Sequence, residues 1–457
     1  MGNQNGTPRK PIRARVLIIV LAVALAPLLI VAAKRLEGGK PELRLDAFST
    51  AIGAERAISG VAVDSISGIR RIWVGLVKDG REKLVFERDF PGSVFWRAGD
   101  VRQLPFEVTI RPGDLGFGDG EALLRVAVWD YSWRNWGKGN HTYLEKTVLI
   151  DTRPPEITVL SRVHNVAQGG SGVVRYRLSE NCPVSGVSVA DRFYPGKAAP
   201  NGDHLAYFAV GHDQPTSVVL AVEATDAAGN AARAGFPNHI RRTRFKNDTI
   251  NLSKRFLSWK MPDFYSRQAI DGGSDLLAQF LEVNRDLRKE NYAQIVATTV
   301  NSLADKRWQG AFLRMPAAAT QATFGDRRTY RYDGREVDQQ THLGIDLASL
   351  AHSPVPAANA GRIIFTDSIG IYGKTVIVDH GYGLFSLYSH MSEISVEKGQ
   401  DVEKGTVLGR TGTTGLAGGD HLHFSMLVHQ TFVNPLEWWD ENWIASNIAD
   451  KLAPAAN

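Results

Sequence analysis

Asp420-His421-Leu422-His423-Phe424 and, about eighty residues earlier, His342-Leu343-Gly344-Ile345-Asp346 both alternate polar with apolar side chains. A strand points successive side chains to opposite faces, so His421 and His423 share one face while Leu422 and Phe424 take the other. The same parity groups His342, Gly344 and Asp346 against Leu343, Ile345 and Leu347. Two such strands place imidazoles and a carboxylate at one point above a packed sheet, a ligand set that zinc accepts. In Gly383-Leu384-Phe385-Ser386-Leu387-Tyr388-Ser389-His390 the alternation puts Tyr388 and His390 on one face, Phe385 and Leu387 on the other. Four histidines and an aspartate are then at hand, more than a closed four-ligand shell uses, and a surplus favours catalysis over a structural site. Seven of the chain's twelve histidines fall between His342 and His429, a clustering that scattered surface imidazoles do not produce.

Around these runs stand Gly-Tyr-Gly at 381–383, Tyr-Ser-His at 388–390 and Lys-Gly turns at 398–399 and 404–405. In this combination residues 308–439 resemble the M23 family of LytM-type, lysostaphin-like zinc metallopeptidases, which cut stem peptides or cross-bridges of bacterial cell walls. The resemblance implies a zinc metalloendopeptidase acting on peptidoglycan peptides. It implies that His342, Asp346 and His423 hold Zn2+, and that His390 and His421 are catalytic beside the attacking water. Two departures are visible: Gly419-Asp420 where such proteins usually carry Gly-Pro, and His352-Ser353-Pro354-Val355 where they carry Gly-Thr-Pro-Val. Neither touches a ligand; both bear on the shape of the groove. The competing reading is a non-catalytic wall-binding or hydrolase-activating membrane protein, but degenerate relatives of that kind lose ligands and this chain keeps them all.

The resemblance covers under a third of 457 residues, a length that suits about three domains at typical sizes. The 53 basic and 48 acidic residues leave a net charge of +5, a solvated surface with no nucleic-acid motif. A single cysteine, Cys182, excludes an intrachain disulfide framework.

Residues 1–15 are basic and free of acids, residues 16–33 carry no charge, and Lys34-Arg35 closes the run. A bilayer core needs roughly 17 to 25 apolar residues, so the expectation is a cytoplasmic basic tail followed by a single-pass anchor at 16–33. A cleaved signal ending at Val31-Ala32-Ala33 is the alternative, disfavoured because the apolar run exceeds what a signal core needs. Either reading exports the remainder, which places the protein at the cytoplasmic (inner) membrane with its C-terminal domains on the periplasmic or extracellular side. Cell-wall or division proteins are candidate partners.

The expected fold is mainly β. Two immunoglobulin-like β-sandwich modules are read at 41–151 and 154–247, joined at Asp151-Thr152-Arg153-Pro154-Pro155-Glu156 because consecutive prolines cannot pair in a central strand. Ile72-Trp73-Val74-Gly75-Leu76-Val77 and Leu84-Val85-Phe86 flank an Asp-Gly turn, and Arg242-Thr243-Arg244-Phe245 reads as the last strand of the second module. Trp129, Tyr131, Trp133 and Trp136 are read as core or joint fillers in preference to a sugar-binding platform. Asp226 to Asn230 reads as a side-chain-capped turn rather than a calcium loop. Leu276, Leu277, Phe280, Leu281, Leu287 and Ile295 recur at helical spacing, giving a helical connector at 262–306. It is read as packed linkage, with a cover over the zinc groove as the sharper alternative. The C-terminal antiparallel β peptidase domain is placed at 308–445. His380 is a turn residue or a neighbour of the site; His352 and His429 are surface or groove-rim residues; His141, His164, His204, His212 and His239 receive no role.

Overall fold

The computed structural model describes residues 12–92, 98–265 and 275–452, without the side chains of 12–15. The basic tail therefore lies outside the described residues except for the backbone of 12–15, as does the stretch 266–274 of the connector. The structure is mainly β, with one long apolar helix at the N-terminal end. That helix, Ile12–Arg35, has 24 residues. At about 1.5 Å per residue this exceeds the roughly 30 Å of a bilayer's hydrocarbon core.

The chain divides into two compact units. The first contains residues 1–154 with the turn 225–230. Here a three-stranded sheet (Glu42–Leu45, Arg56–Val63, Gln103–Ile110) accompanies a five-stranded one (Ala51–Ile52, His141–Ile150, Gly120–Asp130, Ile69–Lys78, Arg81–Asp89). Alternate residues supply the core, with Ile58, Val74, Leu76, Leu124 and Val126 fully buried. The Asp-Gly hairpin is present at Asp79-Gly80, both residues at positive φ, as a type I′ turn requires. Asn230 donates through its backbone and side-chain nitrogens to Asp226 at 2.9 and 2.8 Å, so this turn is capped by its own side chains. The aromatic cluster divides: Tyr131 is buried, but Trp136 fills no core and is fully exposed.

The second unit contains residues 155–224 and 231–457. A four-stranded sheet built on Ser171–Leu178 and His204–Ala209 and another built on Val184–Val189 and Leu220–Thr225 form the second sandwich. It does not stand apart from the C-terminal β domain. Tyr207 stacks on Tyr382, the Tyr194 hydroxyl meets Thr431 Oγ1 at 2.9 Å, and the Ser171 amide donates to the Glu437 carboxylate at 2.9 Å. Val174 and Phe208 of the sandwich belong to the same buried cluster as Ile377 and Trp438. The strand expected at 242–245 does not form. The Thr243 hydroxyl donates to the Gln168 carbonyl and Phe245 packs on Phe324, which holds the segment as an extended link. The next strand, Asn247–Leu252, pairs in parallel with Arg327–Tyr332, about eighty residues on.

The connector forms helices at Lys254–Lys260, Leu276–Glu282 and Arg288–Thr298, with a π-helical turn at Val283–Leu287 between the last two. Asp275 caps the second, its side chain accepting from the Leu277 amide. Beyond it an all-antiparallel sheet runs in the order Ala319–Ala322, Ile345–Ala348, Leu422–Val428, Leu384–Met391, Gly373–Asp379, Gly361–Ile369, Asp401–Val402. The Lys-Gly turns enclose the two-residue strand Asp401–Val402, as their spacing predicts.

Candidate active site

Three adjacent strands carry the site in one register row: Asp346 lies opposite His423, and His423 opposite Ser389. Paired residues of an antiparallel sheet share a face, so Asp346 and His423 project together. His342 lies before the strand, in a link whose backbone is held by Asp326 and Gly325. Gly344 is needed there, because a Cβ at this position would fall 2.6 Å from the His423 ring.

The expected pairing of Tyr388 with His390 on one face is corrected by a bulge. Val376 pairs with Tyr388 and Lys374 with Met391, leaving Ser389 and His390 opposite one residue, and His390 adopts φ +63°. Tyr388 turns to the core, its ring against Phe424, while the left-handed residue swings His390 to the side of His421, with ring centroids 4.8 Å apart.

His342 Nε2, Asp346 Oδ1 and His423 Nδ1 meet at mutual distances of 3.0, 3.0 and 2.8 Å. Their protons can be placed. His342 Nδ1 faces the Thr323 carbonyl at 3.0 Å, and a carbonyl only accepts, so Nδ1 carries the proton and Nε2 a lone pair. Ser425 donates to the Leu343 carbonyl, so its oxygen accepts from His423 Nε2 at 3.0 Å, and His423 Nδ1 carries the lone pair. Three lone-pair atoms thus converge in a buried setting with no proton between them. Only a cation, or an added proton, relieves that arrangement, and two neutral imidazoles with a carboxylate are a donor set that fits zinc. The other Asp346 oxygen accepts from Arg328 at 2.9 Å. When an added proton makes one of these rings cationic, it holds the Asp346 carboxyl well below the usual carboxylate range, although burial alone would raise it.

His390 and His421 flank this point. Each donates Nδ1–H to a backbone carbonyl, Thr414 and Gly419 respectively, both at 2.8 Å, which leaves Nε2 free. His421 Nε2 stands 3.6 Å from Asp346 Oδ1. Burial, with His421 and His423 nearby, lowers the His390 pKa far below its ordinary value; burial also opposes charging of His421, but the Asp346 carboxylate raises it.

All five residues open onto a cavity of about 620 Å³, whose far wall comes from the connector (Phe280, Arg288, Tyr292) and the strand at Ile250 to Leu252. The two departures from the motif pattern meet each other: the His352 amide donates to Asp420, which also accepts from Thr411, and Thr411 in turn accepts from the Ser353 amide. His352 is exposed beside this clasp. His429 is not at the groove rim; it is buried against Tyr194, and burial lowers it to about 4. His380 is a core residue bonded to the Ala360 carbonyl and Ser386, likewise lowered to about 4 by burial. Arg328 and Ser425 join the site with no sequence signal, since nothing in their local runs marks them.

Residues 340–435 match the model of peptidase family M23. This segment is a peptidase family M23 domain. It is 39% identical over 95 residues to the DD-carboxypeptidase/endopeptidase Mpg of Neisseria meningitidis, covering 21% of this chain and 22% of that protein. It is 32% identical over 132 residues to the peptidoglycan DD-endopeptidase ShyA of Vibrio cholerae, covering 28% of this chain and 30% of that protein. The chain therefore matches under a third of the length of either relative. Among solved structures, a putative peptidase M23 from Pseudomonas aeruginosa aligns with 60% of this chain and 95% of its own, at 20% identity and a TM-score of 0.38. The matched M23 segment contains all five site residues.

Proposed function

We propose that the protein is a zinc-dependent endopeptidase that hydrolyses peptide bonds in peptidoglycan stem peptides or cross-bridges, held at the cytoplasmic membrane by Ile12–Arg35 with its remaining domains on the periplasmic or extracellular side. The observation that carries this reading is the convergence of three lone-pair atoms, from His342, Asp346 and His423, beside two further histidines with free Nε2 atoms. The peptidoglycan-acting names of the M23 relatives support the substrate class. Zinc, when bound there, supplies a Lewis acid for the scissile carbonyl and lowers the pKa of water from 15.7 toward about 7. The backbone carbonyls fix the rings of His390 and His421, so a proton is taken up or given at Nε2 alone, facing the cavity. Arg328 neutralises the outer oxygen of Asp346 and keeps the inner one aimed at the imidazoles. Arg288 lines the groove with its guanidinium bonded to neutral Asn284, which suits a substrate that carries carboxylates.

The test combines zinc analysis of the purified protein with release of muropeptides from peptidoglycan, for the parent chain and for His423→Ala. The expected outcome is metal bound by the parent, with loss of metal and of hydrolysis together in the variant. Undiminished hydrolysis by a metal-free His423→Ala protein would reject the assignment. The anchor is read separately: intact mass of the membrane-extracted protein should include Ile12–Arg35, and a soluble protein beginning after Ala33 would replace the anchor by a cleaved signal.

A further inference from the structure

The end of the first unit that meets the apolar helix has an unusual surface. Arg35, the last helical residue, is buried, and its carbonyl accepts from the Trp133 amide. Arg134 Nε donates to the Leu36 and Glu37 carbonyls at 3.1 and 3.3 Å, and Asn140 Nδ2 to the Gly39 carbonyl at 2.7 Å. The chain leaving the helix is thus stitched to the loop 133–140 residue by residue. From that same loop Trp136 projects with its ring fully exposed. Asn135 and Trp136 are consecutive left-handed residues, φ +51° and +57°, held by the Asn135 side chain on the Gly139 carbonyl at 2.9 Å. L-residues rarely adopt this backbone, and with it the loop presents a large apolar ring to the outside. Leu36 and Ile66 are further exposed apolar residues, at 51% and 44% exposure, Ile66 standing on the turn whose Gly68 carbonyl accepts from the Tyr131 amide. Arg134 and Lys138 are exposed among them.

We infer that this end of the first sandwich seats on the bilayer that the helix enters, with Trp136, Ile66 and Leu36 in the headgroup layer and the flanking cations on lipid phosphates. The inference rests on the anchor reading above. The geometry agrees in scale. Trp136 is three residues from the backbone bonded to Arg35, about 10 Å at full extension, and each headgroup layer is roughly 5 to 7 Å deep beyond the hydrocarbon. Tryptophan favours this depth because its ring is apolar while its N–H still reaches water, and basic side chains bury their stems there with the charge in the aqueous layer. The helix then acts with the domain as one body whose tilt is fixed, where a free linker would let the domain tumble.

The test uses the full-length chain in vesicles of phosphatidylcholine and phosphatidylglycerol. In a Cys182→Ala background, an environment-sensitive fluorophore is attached in turn to Trp136→Cys, Ile66→Cys and Asp79→Cys. Asp79 lies at the far end of the same strands, since Ile69 pairs with Asp130 but Val77 with Leu123. Lipids with nitroxide at the headgroup should quench the labels at positions 136 and 66 and leave the label at 79 unaffected. Equal, weak quenching at all three positions in protein that sediments with the vesicles and has the full-length mass would overturn the inference. Position 66 reports independently should the change at 136 disturb the loop. Failure of the anchor reading is distinguishable, because it shows as an N-terminally shortened protein in cells, whatever the labels report in vesicles.

Discussion

Ser425 decides which nitrogen of His423 faces the cluster. With its own proton committed to the Leu343 carbonyl, it accepts only from His423 Nε2, and Nδ1 is left unprotonated toward Asp346. Ser425→Ala should lower zinc affinity on the order of 10 to 100-fold, measured by competition with a fluorescent chelator; unchanged affinity would show that the tautomer is set elsewhere. His390→Ala and His421→Ala should separate from this by keeping zinc while losing roughly 10²-fold or more in turnover. Zinc loss in both would mean that they are ligands. Asp346 and His423 were legible as a facing pair because alternation survives in the short strands that carry them, whereas His342 lies before its strand. Arg328, Ser425 and the bulge at His390 were not, because each depends on which strand lies alongside and in what register, and pairing partners tens of residues apart leave no local pattern.

Among the elements, the connector helix Arg288–Thr298 has two faces with different tasks. Ile295 is buried and Asn291 accepts the Ile371 amide at 2.8 Å, while Arg288 and Tyr292 face the cavity. Asn291→Leu leaves a buried N–H without a partner, which costs about 1 to 3 kcal/mol. A lowered urea midpoint together with a raised KM is expected, since the helix is both a structural support and a wall of the groove; a stability loss with unchanged KM would separate the wall from the chemistry. The helical spacing of Leu276, Leu277, Phe280 and Leu281 announced the helices. Their position beside His342, Asp346 and His423 was unreadable, because amphipathic periodicity tells that a face is covered and not by what. The missing strand at 242–245 has a similar cause: alternating side chains there serve tertiary contacts without any ladder.

At the scale of the whole molecule, Glu437 sits where the second sandwich meets the peptidase domain, and burial raises its carboxyl from an ordinary 4.5 to about 8. Between those values the folded state binds more protons than the unfolded one, so this group makes stability fall as the pH rises through the window. Glu437→Gln should flatten that fall, followed by urea midpoints across the window; an unaltered pH profile would place the titration elsewhere. The continuous core across that junction has a thermal consequence. Residues 155–224 lack a separate hydrophobic interior of their own to melt independently, so calorimetry should find the second sandwich and the M23 domain unfolding in one cooperative transition. Chelation would then lower the temperature at which the second sandwich melts, although none of its residues belongs to the proposed ligand set.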